Sequence, residues 1–320
     1  MLHYEPKQLT VQEVQKLLLG GVAPRPIALV STISSDGILN LSPFSFFNAF
    51  GANPPIVAFS PARRGRDGSF KDTYNNLMQT RECVIQAVTF EMVEQVSLAS
   101  TEFPPNVNEF EKSGLTAIES DIVKPKRVKE SPFQMECVLR DMFSYGDGGS
   151  SANIAICEVV KFHMAENLFQ DGIIHPDLIN LVGRMSGEFY TKASGNTIFT
   201  VEKPNQKIGI GFDRLPKSLR ESVILSANDL AKLANITSIP SSHEVDKFIQ
   251  DIETSATENL EISDESVLSY LCNKDYKKMF KCLLVMKVKD RTKYEHCIKT
   301  ALDCNDAHFA WNTVCYSNGL

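Results

Sequence analysis

Between Asn40 and Pro61 the chain reads NLSPFSFFNAFGANPPIVAFSP, a mixture of residue types suited to holding a flat aromatic molecule. Five rings (Phe44, Phe46, Phe47, Phe50 and Phe59) are interleaved with Ser42, Ser45, Asn48 and Ser60. A strand that only filled a core would favour Val, Ile and Leu and carry few side-chain donors. Rings set among small hydrogen-bonding groups match a polar-edged aromatic ligand. The same pattern also fits a half-buried hairpin with a Ser/Asn-rich outer face.

The flanks add a second chemistry. Ala62-Arg63-Arg64-Gly65-Arg66 places three cations within four residues. Gly68-Ser69-Phe70-Lys71-Asp72-Thr73 then leads into a helical pattern through Tyr74 and Leu77. Basic residues ahead of a helix whose first turn offers free N–H groups make a phosphate site. An aromatic slot followed by a phosphate site suggests a phosphorylated aromatic cofactor.

The elements that must position these residues are mainly β as far as Arg214. Strands are predicted over 27–33, 56–60, 83–88, 133–139, 154–162 and 196–201, with 40–61 read as a strand, a loop and a second strand. Helices are predicted over 70–78 and 91–98. Asp36-Gly37 is a hairpin signal after the first apolar run. Short strands separated by turn signals suggest a sandwich or barrel, not a parallel βαβ sheet. Tyr145-Gly146-Asp147-Gly148-Gly149-Ser150-Ser151 reads as a tight connection between two strands, with phosphate contact as the other reading. After Arg214 the pattern becomes helical, in five or six short helices. Ser226, Ser241 and Ser263 resemble helix starts, and Ser241 and Glu244 have capping-box spacing.

Composition excludes several classes. With 320 residues, 43% of them hydrophobic, the chain can bury a full core in one large or two modest domains. A net charge of −6 argues against a nucleic-acid partner. No run of apolar residues is long enough to span a membrane, and the start MLHYEP lacks the pattern of a signal peptide, so a cytoplasmic protein is expected. Cys272, Cys282, Cys297, Cys304 and Cys315 lie near His296 and His308 in sequence but form no C-x-x-C pair. They read as small buried hydrophobes, and no metal is expected. Gly209-Ile210-Gly211 lacks the third glycine of a dinucleotide fingerprint, and neither a P-loop nor a Gly-x-Ser-x-Gly elbow occurs.

Several ordered blocks together resemble the flavin reductase-like family, including its flavoredoxin-type members. They are RPIALVST, the 40–61 segment, KDTYNNL followed by ECVIQAV, SLASTEFPP, VKPKRVKESPFQMECVL and GRMSGEFYT. The resemblance covers roughly the first two-thirds of the chain and is more specific than any single block. It implies a mainly β fold with added helices: a six-stranded antiparallel, Greek-key-like split β-barrel that binds FMN near the interface of a homodimer. Residues 1–214 are expected to form this domain, and 215–320 a helical C-terminal region outside the resemblance.

Carried over from the family pattern, Ser42, Pro43, Phe44, Ser45, Phe46, Phe47 and Asn48 line the flavin ring. Ser60 donates toward the ribityl or phosphate region. Arg63, Lys71, Asp72 and Thr73 match the phosphate-binding stretch, without deciding among Arg63, Arg64 and Arg66. Ser100 approaches the cofactor after the 91–98 helix. For Lys71 the alternative is a solvated helix-start lysine, and for Thr73 an ordinary first-turn hydroxyl. No catalytic side chain is assigned, because hydride transfer onto a flavin needs stacking and distance more than a general acid. The function implied is an FMN-dependent oxidoreductase passing electrons from NAD(P)H to a flavin, ferric, oxygen or protein acceptor. An FMN-binding electron carrier is the second reading, and a barrel that has lost FMN and serves as an interaction module is the third.

Overall fold

Alternate residues of strand β1 (Ala28–Ile33) enter two different hydrophobic clusters. Ala28 and Val30 pack with Val57, Phe59, Ile85, Met135 and Leu139 in the barrel interior. Leu29 joins Leu41, Met92, Val96, Phe110 and Val128 on the other side. A strand buried on both faces needs a continuous apolar run, which is why PIALVSTI shows no polar alternation.

A computed structural model describes residues 1–203, 207–255 and 260–319. By contact they divide into two units, Met1–Thr200 and Val201–Leu320. In the first, β1 is joined by β2 (Leu39–Phe44), β3 (Phe47–Ala52), β4 (Pro55–Phe59), β5 (Glu82–Ala87) and a long hairpin of Phe133–Tyr145 and Ala152–Met164. These make one seven-stranded sheet, with β2 and β3 at its two edges and every pairing antiparallel. Yet β2 and β3 follow each other with only Ser45 and Phe46 between them. The sheet must therefore curl until its edges meet, without hydrogen-bonding to close. That is a split barrel.

The strand count corrects the reading of 40–61. That segment holds three strands where sequence suggested two, and the sheet has seven where six were implied. Asn53-Pro54 turns the chain so that Ala52 pairs with Pro55 and Phe47 with Phe59, converting the expected loop into β3. A second correction concerns 196–201, where Gly195–Thr197 forms a 3-10 turn and no strand follows. The Thr197 hydroxyl donates back to the Lys192 and Ser194 carbonyls and closes the turn.

Helix α1 (Val11–Gly21) was not read from the sequence, although Thr10 and Glu13 form a full capping box at its start. None of its residues is buried. Its C-terminal end is tied down by Arg25, only 4% exposed, whose guanidinium donates to the carbonyls of Leu19 (2.6 Å), Val22 (2.8 Å) and Met185 (2.9 Å). Helix α2 (Asp72–Thr80) follows the arginine-rich loop and seals one side of the barrel with Leu77.

In the second unit Ser226, Ser241 and Ser263 cap helices Ala227–Ala234, Ser242–Thr254 and Asp264–Cys272. Tyr276–Val285, Arg291–Asp303 and Ala307–Asn318 complete a helical core around Phe280, Tyr294 and Trp311. Trp311 Nε1 donates to the Leu233 carbonyl at 2.8 Å, so the ring is buried with its one donor satisfied. Cys282 and Cys297 are buried in this unit, while Cys272 and Cys304 are exposed. Among the described residues no helix is long and apolar enough to cross a membrane.

Candidate functional site

Two cavities of the first unit meet at Lys71, Arg64 and Glu102. The larger, about 820 Å³, has Phe46, Phe47, Asn48, Phe50, Phe59 and Ser60 on its sheet side. Val11, Val14 and Leu18 of α1 form the opposite wall, and Arg63, Gly65 and Ser150 close one end. The smaller, about 30 Å³, is bounded by Ser42, Asp72, Thr73 and Ser100.

The sheet side ends in an unsatisfied donor. Ser60 follows β4, and its N–H donates to the Phe46 carbonyl at 2.9 Å. Its hydroxyl is buried and has no partner among the described residues. A buried hydroxyl without a partner costs about 1–3 kcal/mol, so its place on a cavity wall points to a ligand atom.

The arginine loop is held by the tip of the long hairpin. Arg63 N–H donates to Ser151 O (3.0 Å) and Ser150 N–H to Arg63 O (3.2 Å). The glycine run at 146–149 is thus a hairpin connection that also supports the cavity. The three arginines then part company. Arg63 stacks its guanidinium 3.9 Å from the Phe70 ring and leaves a buried Nε without a partner among the described residues. Arg64 pairs with Asp72 at 2.9 Å and lies 3.8 Å from Glu102. Arg66 is exposed, pairs with Asp67 and Glu102, and lines neither cavity.

Lys71 is the N-cap residue of α2, and no side chain caps that helix. The N–H groups of its first turn are therefore open donors. The ammonium makes no hydrogen bond or ion pair among the described residues, and sits 6.0 Å from the Phe44 ring. Burial lowers its pKa from the ordinary lysine value, while the charges of Glu102 and Asp72 pull it partly back. A half-buried cation on a cavity wall, with no direct ion pair among the described residues, is chemically suited to an anion.

The side chains of the remaining candidates are engaged elsewhere or lie off the larger cavity. Thr73 is 1% exposed, and its hydroxyl donates to Asn40 Oδ1 at 2.9 Å. Asn40 also accepts from Thr32 and donates to Glu109, which in turn accepts the Leu41 N–H. This buried network pins α2 to β1 and β2, so the Thr73 side chain anchors while its backbone N–H stays available. Phe44 packs in the barrel 5.3 Å from Phe59, beneath the cavity floor. Pro43 and Ser45 line neither cavity. The Ser45 hydroxyl accepts from Arg25 Nε at 3.4 Å. Ser100 donates its hydroxyl to the Ser97 carbonyl. Arg184 stacks on Tyr190 at 4.4 Å, away from both cavities.

The α1 wall and Glu102 have no counterpart in the sequence reading, whereas Gly65 and Ser150 enter it only within the arginine-rich stretch and the 145–151 connection. The box at Thr10 and Glu13 was the signal for α1, whereas Glu102 carries none beyond its position after Ser100-Thr101. Elsewhere, Asp121, Glu136 and His163 bring ligand atoms close enough to hold a metal ion. Glu136, however, already accepts from His163 and from the N–H groups of Asp121, Ile122 and Val123. Burial alone would raise its pKa, but these bonds bring it down to about 2. Asp121 is paired with Lys161. The cluster fastens the 121–123 loop.

The curled, unclosed sheet and its flanking cavity define the split-barrel class, a fold shared with solved structures of that kind. Residues 20–183 match the flavin reductase like domain, and the chain belongs to that family. It is 37% identical over 195 residues to an uncharacterised protein of Aquifex aeolicus, covering 61% of this chain and 97% of the relative. It is similar to nitrilotriacetate monooxygenase component B from Bacillus cereus, with 34% identity, a TM-score of 0.59, and coverage of 63% of this chain and 98% of that one. It is also similar to the 2-nitrobenzoate 2-nitroreductase NbaA of Pseudomonas fluorescens, with 27% identity, a TM-score of 0.54, and coverage of 63% and 96%.

Proposed function

We propose that the larger cavity binds FMN and that the protein is an NAD(P)H-dependent flavin oxidoreductase. The observation that carries this reading is Lys71: a half-buried, unpaired ammonium at the uncapped start of α2, beside a ring-lined cavity. The residues fit the group. Phe46, Phe47 and Asn48 border the isoalloxazine, the orphaned Ser60 hydroxyl serves the ribityl chain, and Lys71, Arg63 and the first-turn N–H groups of α2 hold the phosphate. One phosphate seat favours FMN over FAD. Bound FMN supplies the redox chemistry, taking hydride from NAD(P)H and passing electrons to a second acceptor. The chain's own task is to bind and orient it and to keep one face open, and no acid–base residue is required for that.

The similarity to a monooxygenase component B supports an acceptor that is flavin or a partner protein. The similarity to NbaA supports a nitroaromatic acceptor as the other class. A homodimer is part of the proposal. β3 is exposed along nearly its whole length, with Phe50 at 69%, and α1 presents Val11 and Leu18 at 60% and 50%. An apolar edge strand and an unburied apolar helix face on the same cavity are suited to a second copy. Every residue of this site lies within Met1–Thr200, which is proposed as the flavin domain, and the rest is proposed as a helical extension. The boundary stands before the 214 expected from sequence because Ile210 and Gly211 bond to Ile236 and Ala234.

The test is anaerobic addition of NADH and NADPH to the FMN-loaded protein while the flavin absorbance is followed. Bleaching by either nucleotide is expected. A flavin that stays oxidised with both, yet is reduced by a protein donor, would make the chain an electron carrier instead.

A further inference from the structure

Glu102 sets a carboxylate beside the cations of the proposed phosphate seat. Its carboxylate lies 3.2 Å from Arg66 Nη1 and 3.8 Å from Arg64 Nε, on the wall common to both cavities beside Lys71. The surrounding charges are Arg63, Arg64, Arg66 and Lys71 against Asp67, Asp72 and Glu102. Four cations and three carboxylates leave a net charge of only +1. Asp72 is engaged with Arg64 and Asp67 with Ser69 and Arg66, so each already has a local partner. Glu102 alone of the three borders the larger cavity. With its side chain 37% exposed, it has room to swing out to water.

We propose that Glu102 is a built-in competitor for the phosphate of FMN. This rests on the reading of Lys71 and α2 as the phosphate seat. A phosphate monoester carries a charge of roughly −1.5 to −2 near neutral pH, so at the Lys71 seat it meets repulsion from Glu102, whose carboxylate Arg64 and Arg66 hold on the same cavity wall. The effect is specific to the phosphate, since riboflavin brings no charge to this end of the site. A site that opposes its own ligand's anchor exchanges that ligand readily. That suits a flavin which enters oxidised and leaves reduced, and it does not suit one held permanently.

The test compares wild type, Glu102→Gln and Glu102→Ala by titration with FMN and with riboflavin at one ionic strength, following flavin fluorescence. Thermal melting establishes that each variant is folded. Both variants are expected to bind FMN about tenfold more tightly, a value between those for an exposed and a buried charge pair. Riboflavin affinity is expected to stay within about twofold of wild type, since no charge term changes for it. Unchanged or weakened FMN binding, or equal tightening for both flavins, overturns the competitor role while leaving the flavin site standing. A wild-type protein that binds neither flavin, or binds both equally, overturns the phosphate seat and this inference with it.

Discussion

Replacing Lys71 by Ala is expected to weaken FMN binding by about ten- to a hundredfold, the loss of one charge-assisted hydrogen bond worth roughly 1.5–3 kcal/mol. Riboflavin should bind almost as it does to the wild type, because it has no phosphate for the ammonium to meet. The structure favours this split because Lys71 makes no hydrogen bond or ion pair among the described residues. Its removal therefore strips no structural bond, and the Thr73–Asn40–Glu109 network that holds α2 remains intact. Parallel titrations with the two flavins check the prediction. Equal losses for both would mean that Lys71 shapes the cavity without holding the phosphate.

Gly149→Ala is expected to damage the same site from behind. A Cβ at Gly149 would stand 2.6 Å from the Gly65 carbonyl oxygen and 3.3 Å from that of Arg64, both backbone atoms. Neither can rotate aside, so the hairpin tip and the arginine loop must separate. That strains the two hydrogen bonds joining Arg63 to Ser150 and Ser151. Overpacking of this kind costs about 1–3 kcal/mol in stability. The displaced arginine loop should also weaken FMN binding by about tenfold, the equivalent of one lost hydrogen bond. Gly148 is the control, since a Cβ there meets nothing within 4 Å. Thermal melting and FMN titration of both variants check the pair. A Gly149→Ala protein as stable as Gly148→Ala would show that the two loops do not bear on each other.

Much of this site was legible because its residue types are unusual for their setting. Phe46, Phe47, Asn48, Ser60 and Lys71 stand out as two rings, an amide, a hydroxyl and a cation where a plain strand would be aliphatic, and the structure puts all five on one cavity. Side-chain commitments were not legible. Thr73 and Phe44 have the same composition whether they face a ligand or the interior, and only the Asn40 partner and the barrel cluster separate the two. β3 was hidden because Gly51 and Asn53-Pro54 look like loop, whereas cross-strand pairing with β4 fixes them as strand and turn. α1 was hidden for another reason. It buries nothing within one chain, so its apolar face reads as weak until the cavity it walls is seen. Glu102 needed three dimensions, since its partners Arg64 and Arg66 lie far off in sequence.

The central claim is that one phosphate seat beside a ring-lined cavity selects FMN. The direct measurement offers the purified protein an equimolar mixture of FMN, FAD and riboflavin, removes unbound flavin by gel filtration, and identifies by chromatography what heat releases. FMN is expected to predominate, with riboflavin a minor component and FAD close to absent. Predominant FAD, or no flavin retained at any concentration of the mixture, would contradict the account.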